Sequence, residues 1–266
     1  VFVYTGQGGL WPGAGRELYA CEPAFREALE DVGARFERLA GWNPVSDLVE
    51  ADAERAARLA ATEIAQPVLF ALQVALTALW RALGLRPAAA VGHSVGEVAA
   101  AWAAGVLSLD DAVAVVWHRS RLMQAAAGAG RMAQVDLPAE AVAEALRREG
   151  DRLEIAGFNG PASTVVAGET AALDAWLEAL GRRGIVARRL AVDYAFHSRQ
   201  MAPFCAPLAQ ALAAITPRPA ALPLASSVTG TWAATGDFGA AYWARNIREP
   251  VRFVQAAGTL LAGLFA

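Results

Sequence analysis

The chain contains no lysine; all 23 of its basic residues are arginine. That absence removes the phosphate-loop lysine of a nucleotide hydrolase and every Schiff-base mechanism. Histidine is scarce as well, at three residues, so the search for a general base is short. The two cysteines, Cys21 and Cys205, stand apart with neither metal-ligand spacing nor a disulfide framework. Buried free thiols of a cytoplasmic protein are expected, and no metal site. A net charge of -3 gives no electrostatic case for binding nucleic acid. The longest apolar stretch, residues 67–85, is interrupted by Gln73, Thr77 and Arg81, so it reads as a buried helix and no membrane association is expected. The opening Val1-Phe2-Val3-Tyr4 lacks the charged region and cleavage site of a signal peptide. No internal repeat or low-complexity linker is present.

What the chain does have is hydrophobic mass: 56% of 266 residues, rich in Ala, Leu and Val, enough for a large α/β core. Its organisation centres on residues 87–104. Residues 88–91 form a short apolar run suited to a buried strand, and residues 95–104 are good helix formers. Between them lies Gly92-His93-Ser94-Val95-Gly96, a match to the G-x-S-x-G turn that exposes a nucleophilic serine between strand and helix. Small flanking residues are needed because the backbone nearly touches itself there. The free N–H groups at the helix head favour developing negative charge. Ser94 is therefore the candidate nucleophile.

Before this turn, a first strand at residues 1–4 leads to the glycine-rich loop Thr5-Gly6-Gln7-Gly8-Gly9. That loop lacks the G-x-G-x-x-G spacing and an acidic ribose partner, so a nucleotide site is not indicated. Helical periodicity follows at residues 17–39, 51–60 and 66–83. After the turn, Ser108 with Asp110 and Asp111 reads as the capped start of a helix running to about residue 127. Gly128-Ala129-Gly130 then marks a hinge. Strands at 132–135, 153–158, 163–167 and 185–192 alternate with helices at 139–148 and 170–183, with a turn at 159–161. That β-α-β-β-α-β order is ferredoxin-like. The predicted organisation is thus a large subdomain at 1–128 and 198–266, interrupted by a small one at 129–197. The sequence ends at Leu264-Phe265-Ala266 inside an apolar pattern without a cap, which suggests a domain that continues.

Among the histidines, His93 adjoins Ser94 and suits a bracing role, and His118 lies mid-helix as a structural residue. His197 sits in a loop at the subdomain junction, where catalytic groups are commonly carried. It is the preferred base.

Four stretches occur in a telling order: Gly6-Gln7-Gly8, Gly92-His93-Ser94-Val95-Gly96-Glu97, Tyr194-Ala195-Phe196-His197 and Tyr242-Trp243-Ala244-Arg245-Asn246. On these motifs the chain resembles the acyltransferase domain of modular type I polyketide synthases, akin to malonyl-CoA:acyl-carrier-protein transacylase. The resemblance covers nearly the whole chain. It implies an α/β-hydrolase-like large subdomain with an inserted ferredoxin-like small subdomain. It implies Ser94 as the acylated nucleophile and His197 as its base and acid, in a dyad. The carbonyl of Glu249 would orient the histidine, with Asp193 only a strand-end residue. Arg119 would clamp the free carboxylate of an extender unit, a task suited to a planar two-pronged donor. The N–H groups of Gln7 and Val95 would form the oxyanion hole, and Gln66 and Asn159 would line the site. No bound cofactor is implied: a coenzyme A thioester such as malonyl-CoA is the substrate, and phosphopantetheine arrives on an acyl carrier protein. That carrier and neighbouring synthase domains are the implied partners.

Two positions depart from the family pattern. Gly9-Leu10 replaces a common Ser-Gln, which a backbone oxyanion hole tolerates. Tyr194-Ala195-Phe196-His197 mixes the Tyr-Ala-Ser-His of methylmalonyl-selecting members with the His-Ala-Phe-His of malonyl-selecting ones. Phe196 and Val95 favour malonyl, and Tyr194 favours methylmalonyl. Two other readings stand beside this one. A serine esterase or thioesterase would draw a triad acid from Asp136, Asp151, Asp174 or Asp193, all between Ser94 and His197. A silent docking domain is the third, against which the intact nucleophile, base and loop argue.

Overall fold

The computed structural model describes residues 1–265 and opens on strand β1 (Phe2–Tyr4). Helices α1 (Arg16–Cys21) and α2 (Pro23–Ala40) follow. The periodicity of 17–39 predicts one helix, but Pro23 divides it: proline lacks the N–H a helix interior needs, yet suits the first turn of a new one. Short helices α3 (Val45–Val49) and α4 (Ala53–Arg58) lead into α5 (Thr62–Ala82). α5 begins a turn earlier than the sequence suggests and keeps Pro67 inside. The Gln124 side-chain oxygen accepts from Thr62 N at 2.7 Å, satisfying one free donor of that early turn from far along the chain.

Strand β2 (Ala90–Gly92), helix α6 (Gly96–Ala103) and helix α7 (Leu109–Gln124) come next. Ser108 Oγ accepts from Asp111 N at 3.0 Å, the N-cap expected of that residue. α5 is long and apolar enough to cross a bilayer, yet 72% of its most apolar window is buried inside the protein, against α2 and α7. It is the central core helix.

The antiparallel part comprises β3 (Arg131–Val135), α8 (Ala139–Leu146), β4 (Leu153–Gly160), β5 (Ser163–Gly168), α9 (Thr170–Arg182) and β6 (Ala187–Arg189). Its order, β4-β5-β3-β6, is that of the ferredoxin-like arrangement. β4 continues through Asn159 and Gly160, which the sequence suggests as a turn; the chain reverses at Pro161-Ala162 instead. β6 is shorter than residues 185–192: its ladder with β3 spans Ala187–Arg189, and beyond it only single hydrogen bonds continue, Leu190 N to Met132 O and Asp136 N to Val186 O. The chain then returns through α10 (Ala202–Ala211), β7 (Leu224–Ala225), α11 (Ala240–Arg248) and α12 (Phe253–Phe265). The sequence reading of an uncapped end at Ala266 lies outside the described residues.

β1, β2 and β7 form a parallel sheet with β2 central. Phe25, Phe36, Phe70 and Val74 fill the core between it and the helices. Leu173, Trp176 and Leu180 of α9 pack with Val142 and Leu146 of α8 on one face of the antiparallel sheet. Each such side chain contributes about 1.5–3 kcal/mol by leaving water. Sequence reading places both cysteines in the interior; Cys21 is in fact exposed at the end of α1, a helix with no buried residue, and Cys205 is half-buried.

The two parts meet along β4. Phe158 N donates to Val251 O at 2.8 Å and Val251 N to Ala156 O at 2.9 Å. Glu154, on the same strand, takes Arg199 at 2.8 Å and Arg248 at 3.2 Å. These arginines sit two residues after His197 and one before Glu249. The joint therefore grips both segments around the candidate base.

Candidate active site

Ser94 occupies the turn between β2 and α6, with φ at 53°. A left-handed serine persists only where its surroundings enforce it. Here a Cβ on Gly92 would strike the backbone of Glu97, and one on Gly96 the Tyr4 carbonyl, so neither position admits a larger residue. The glycine-rich loop closes over the same turn: a Cβ on Gly6 would lie 2.8 Å from His93 Nδ1 and 3.6 Å from Ser94 Cβ. Gln7 and Val95 therefore flank Ser94. Among the described residues neither of their backbone N–H groups donates to a protein acceptor.

His197 also has a positive φ, 59°, and its backbone N–H donates to Ile247 O at 3.1 Å. Its Nε2 lies 2.8 Å from Ser94 Oγ, and its Nδ1 lies 3.1 Å from the Glu249 carbonyl oxygen. A carbonyl only accepts, so Nδ1 carries the proton and Nε2 is left as acceptor for the serine hydroxyl. The acids a triad would draw on point elsewhere. Asp151 pairs with Arg199 and Asp174 with Arg189, both at 2.8 Å, while Asp193 is exposed and only its backbone oxygen is engaged, by Gly128 N.

Arg119, which composition alone suggests as a surface residue of a charged helix, is fully buried. Its Nη2 donates to Ser94 Oγ at 2.9 Å, its Nη1 to Gln66 Oε1 at 2.6 Å and its Nε to Asn246 Oδ1 at 3.0 Å. The serine oxygen thus accepts from a guanidinium and donates to an imidazole. That pairing favours the alkoxide form and leaves lone-pair density for attack. Gln66 passes the chain onward: its Nε2 donates to Gln7 Oε1 at 3.0 Å, and Gln7 Nε2 reaches Thr62 Oγ1 and Tyr194 OH, both at 3.2 Å.

Burial, followed by the nearby Arg119 charge, lowers the His197 pKa to about 3. Burial also lowers Arg119 to about 9, with Glu97 opposing, which leaves a cation at neutral pH. A base works in its neutral form, so its activity is present above its pKa and lost as pH falls through it. Any reaction that uses His197 as its base should accordingly hold steady from about pH 8 to about pH 5, across the range where an ordinary histidine titrates. A pH–rate profile checks this; a limb centred near 6.5 would mean that the imidazole is hydrated when it acts.

A cavity of about 220 Å³ opens over this group. Ser94, His93, His197, Gln7 and Val251 line one side, and Met132, Ala156, Asn159 and Val165 of the antiparallel sheet line the other. Asn159 Oδ1 lies 2.9 Å from His93 Nε2, bridging the two sides. Burial lowers the His93 pKa, so the ring is a neutral brace. Tyr194 and Phe196 also line the cavity; their rings stack 3.6 Å apart and 11° from parallel. His118 is half-buried on α7, outside the cavity. Among the described residues, no cluster of three or more His, Cys, Asp or Glu could hold a metal ion.

Two functional neighbours escape a reading by residue type: Glu97 and Asn246. Glu97 is fully buried and accepts from Ser227 N, Tyr242 OH and Asn246 Nδ2. A signal for it exists. α6 is apolar on every side, so its single acid has no solvent face to occupy.

A family model described as "Acyl transferase domain" matches residues 1–264. The chain is 47% identical to polyketide synthase GfsA of Streptomyces halstedii, over 98% of this chain and 4% of the synthase. Among solved structures, it resembles the acyltransferase domain from module 8 of the salinomycin polyketide synthase at a TM-score of 0.94 and 41% identity, covering 98% of this chain and 62% of that one. It also resembles MCAT from Streptococcus pneumoniae at a TM-score of 0.87 and 30% identity, covering 98% and 85%. The chain spans between 4% and 14% of the length of the eight most similar curated relatives compared.

Proposed function

The chain belongs to the acyl transferase domain family, and from that premise we propose that it moves an extender-unit acyl group from coenzyme A to the phosphopantetheine thiol of an acyl carrier protein. The observation that carries this reading is the position of Ser94 Oγ between His197 Nε2 and Arg119 Nη2. A serine hydrolase needs the first contact but not the second. A buried guanidinium beside the nucleophile suits an acyl group bearing its own carboxylate.

The reaction runs in two halves. Ser94 Oγ attacks the thioester carbonyl while His197 Nε2 takes the hydroxyl proton. The C–S bond breaks, and His197 returns the proton to the departing coenzyme A thiolate. In the second half the carrier thiol attacks the Ser94 ester, gives its proton to His197, and Ser94 recovers it as the acyl thioester leaves. Gln7 N and Val95 N, lacking protein acceptors, are the donors available to each oxyanion. The Glu249 carbonyl holds the imidazolium through Nδ1 in place of a triad acid. We place the reaction in the cytoplasm, within a synthase whose neighbouring domains supply the carrier, and invoke no resident cofactor.

For the extender unit we favour malonyl, with methylmalonyl as the alternative. The Phe196 ring lines the cavity one residue from the base and stacks on Tyr194, whose hydroxyl is held by Gln7. Stacking keeps the phenyl in space that a serine would leave for an α-methyl group. A methyl in such a pocket is worth about 1–3 kcal/mol, so sterics alone leave some leakage. Intact mass spectrometry after incubation with a panel of acyl-CoAs tests the assignment. Malonyl should win direct competition with methylmalonyl, and Phe196→Ser should raise methylmalonyl loading. Faster methylmalonyl loading by the unaltered protein would make Tyr194 the better guide and reverse the choice.

A further inference from the structure

Arg119 is fully buried, and its three side-chain partners, Asn246, Gln66 and Ser94, are all neutral. The acid that faces its charge is Glu97, and the two are joined by one amide. Asn246 Oδ1 accepts from Arg119 Nε at 3.0 Å, and Asn246 Nδ2 donates to Glu97 Oε2 at 2.8 Å. Glu97 Oε1 accepts from Ser227 N and Tyr242 OH, each at 2.7 Å. Burial pushes the Glu97 carboxyl up from its ordinary range, and the hydrogen bonds it accepts in this row from Tyr242 OH, Ser227 N and Asn246 Nδ2 oppose that shift and favour the ionised form. We propose that Glu97 is a positioning residue for the acyl carboxylate: its negative charge fixes Asn246 in the one orientation that offers oxygen to Arg119, and it balances the guanidinium inside the protein. This rests on the reading of Arg119 as the clamp for the extender carboxylate.

The amide chemistry makes the proposal specific. In Glu97→Gln, an oxygen kept toward Ser227 N and Tyr242 OH leaves the new side-chain NH2 facing the Asn246 NH2. Turning Asn246 over to relieve that conflict points its NH2 at Arg119 Nε, another donor. Turning the substituted side chain over instead sets its NH2 against Ser227 N. No arrangement satisfies the row, and Arg119 loses both its fixed plane and its counter-charge. A second change repairs it. With Asn246→Asp added, one carboxylate oxygen takes Arg119 Nε and the other takes the NH2 introduced at position 97. The amide oxygen introduced with it then serves Ser227 and Tyr242. The only contact given up is the long one from Asn246 Nδ2 to Ser94 O, at 3.4 Å.

The experiment measures Ser94 acylation by malonyl-CoA and by acetyl-CoA, which lacks the second carboxylate, in the full chain. Glu97→Gln should lower malonyl loading about 10-fold more than acetyl loading, mainly through KM, in keeping with loss of a charge-assisted hydrogen bond. Glu97→Gln/Asn246→Asp should restore the malonyl preference. If Glu97→Gln alone does not fold, the double variant carries the test, since it keeps every hydrogen bond along the row from Arg119 to Ser227 and Tyr242. Arg119→Ala separates the two levels: an unchanged malonyl-to-acetyl ratio there overturns the clamp and this proposal together. A ratio that collapses in Arg119→Ala but survives in Glu97→Gln, or a folded double variant without the preference, overturns the role of Glu97 alone.

Discussion

On the proposed mechanism, Ser94→Ala is expected to abolish formation of a covalent adduct from malonyl-CoA, and His197→Ala to slow it by about 10²–10⁴-fold. The two losses differ in kind. Removing Oγ removes the atom proposed to be acylated, so no conditions restore it. Removing the imidazole leaves Ser94 with Arg119 Nη2 at 2.9 Å, which still favours the alkoxide but takes no proton. Residual loading in His197→Ala should therefore rise with pH as the hydroxyl ionises unaided. Intact mass spectrometry against time reads both variants. An adduct of full size in Ser94→Ala would move the nucleophile elsewhere and overturn the mechanism. Asp193→Asn is the companion measurement. With Nδ1 of His197 on a backbone carbonyl and the Asp193 side chain exposed, its effect should be small. A loss matching that of His197→Ala would restore a triad acid and the hydrolase reading.

Arg119→Ala should carry the second large effect, and it should fall on one class of substrate. Truncating one partner of a desolvated charge pair costs about 2–5 kcal/mol, or roughly 30- to several-thousand-fold in malonyl loading. Acetyl offers no carboxylate, so its loading loses only what Arg119 gives Ser94 and its neighbours. The ratio of the two loading rates separates these contributions, and acetyl becomes the better substrate if the clamp is the larger. Equal losses for both acyl groups would make Arg119 a structural support of Gln66 and Asn246, and the dicarboxylic assignment would fall with it. Arg119→Lys sharpens the test: an ammonium keeps the charge but not the fork that reaches Ser94, Gln66 and Asn246 together.

Local signals carry much of this site. The turn at Ser94 is legible because close approach forbids side chains at Gly92 and Gly96, a constraint written in residue size. The β-α-β-β-α-β pattern is legible because its strands and helices change period at glycines and prolines. Arg119 is different. Its helix offers polar residues on both sides, and nothing local distinguishes a buried arginine from an exposed one; only the resemblance to a family singles it out. Its contact with the Ser94 hydroxyl lies beyond even that reading, which assigns it to substrate alone. Glu97 and Asn246 stand 149 positions apart and acquire meaning only when α6 and α11 meet. The errors have similar roots. The early start of α5 depends on Gln124, 62 positions from Thr62, and the length of β6 depends on its register with β3, more than 50 positions away.

The joint along β4 has a consequence for how such a domain can change. The hydrogen bonds that link Ser94, His197, Arg119 and Glu249 all run outside the antiparallel sheet, whereas Met132, Asn159 and Val165 on that sheet form the opposite wall of the cavity. Machinery and mould are thus separable over most of the surface, and the mould can drift toward a new acyl shape while turnover is preserved. Residues 154–159 are the exception. There the sheet is laced to Val251, through Glu154 to Arg199 and Arg248, and through Asn159 to His93. A graft that exchanges the antiparallel part from β3 to β6 should keep its rate when this strip is carried over from the recipient, and lose it when the strip arrives with the donor. The seam, more than the pocket, sets the boundary of a transplant.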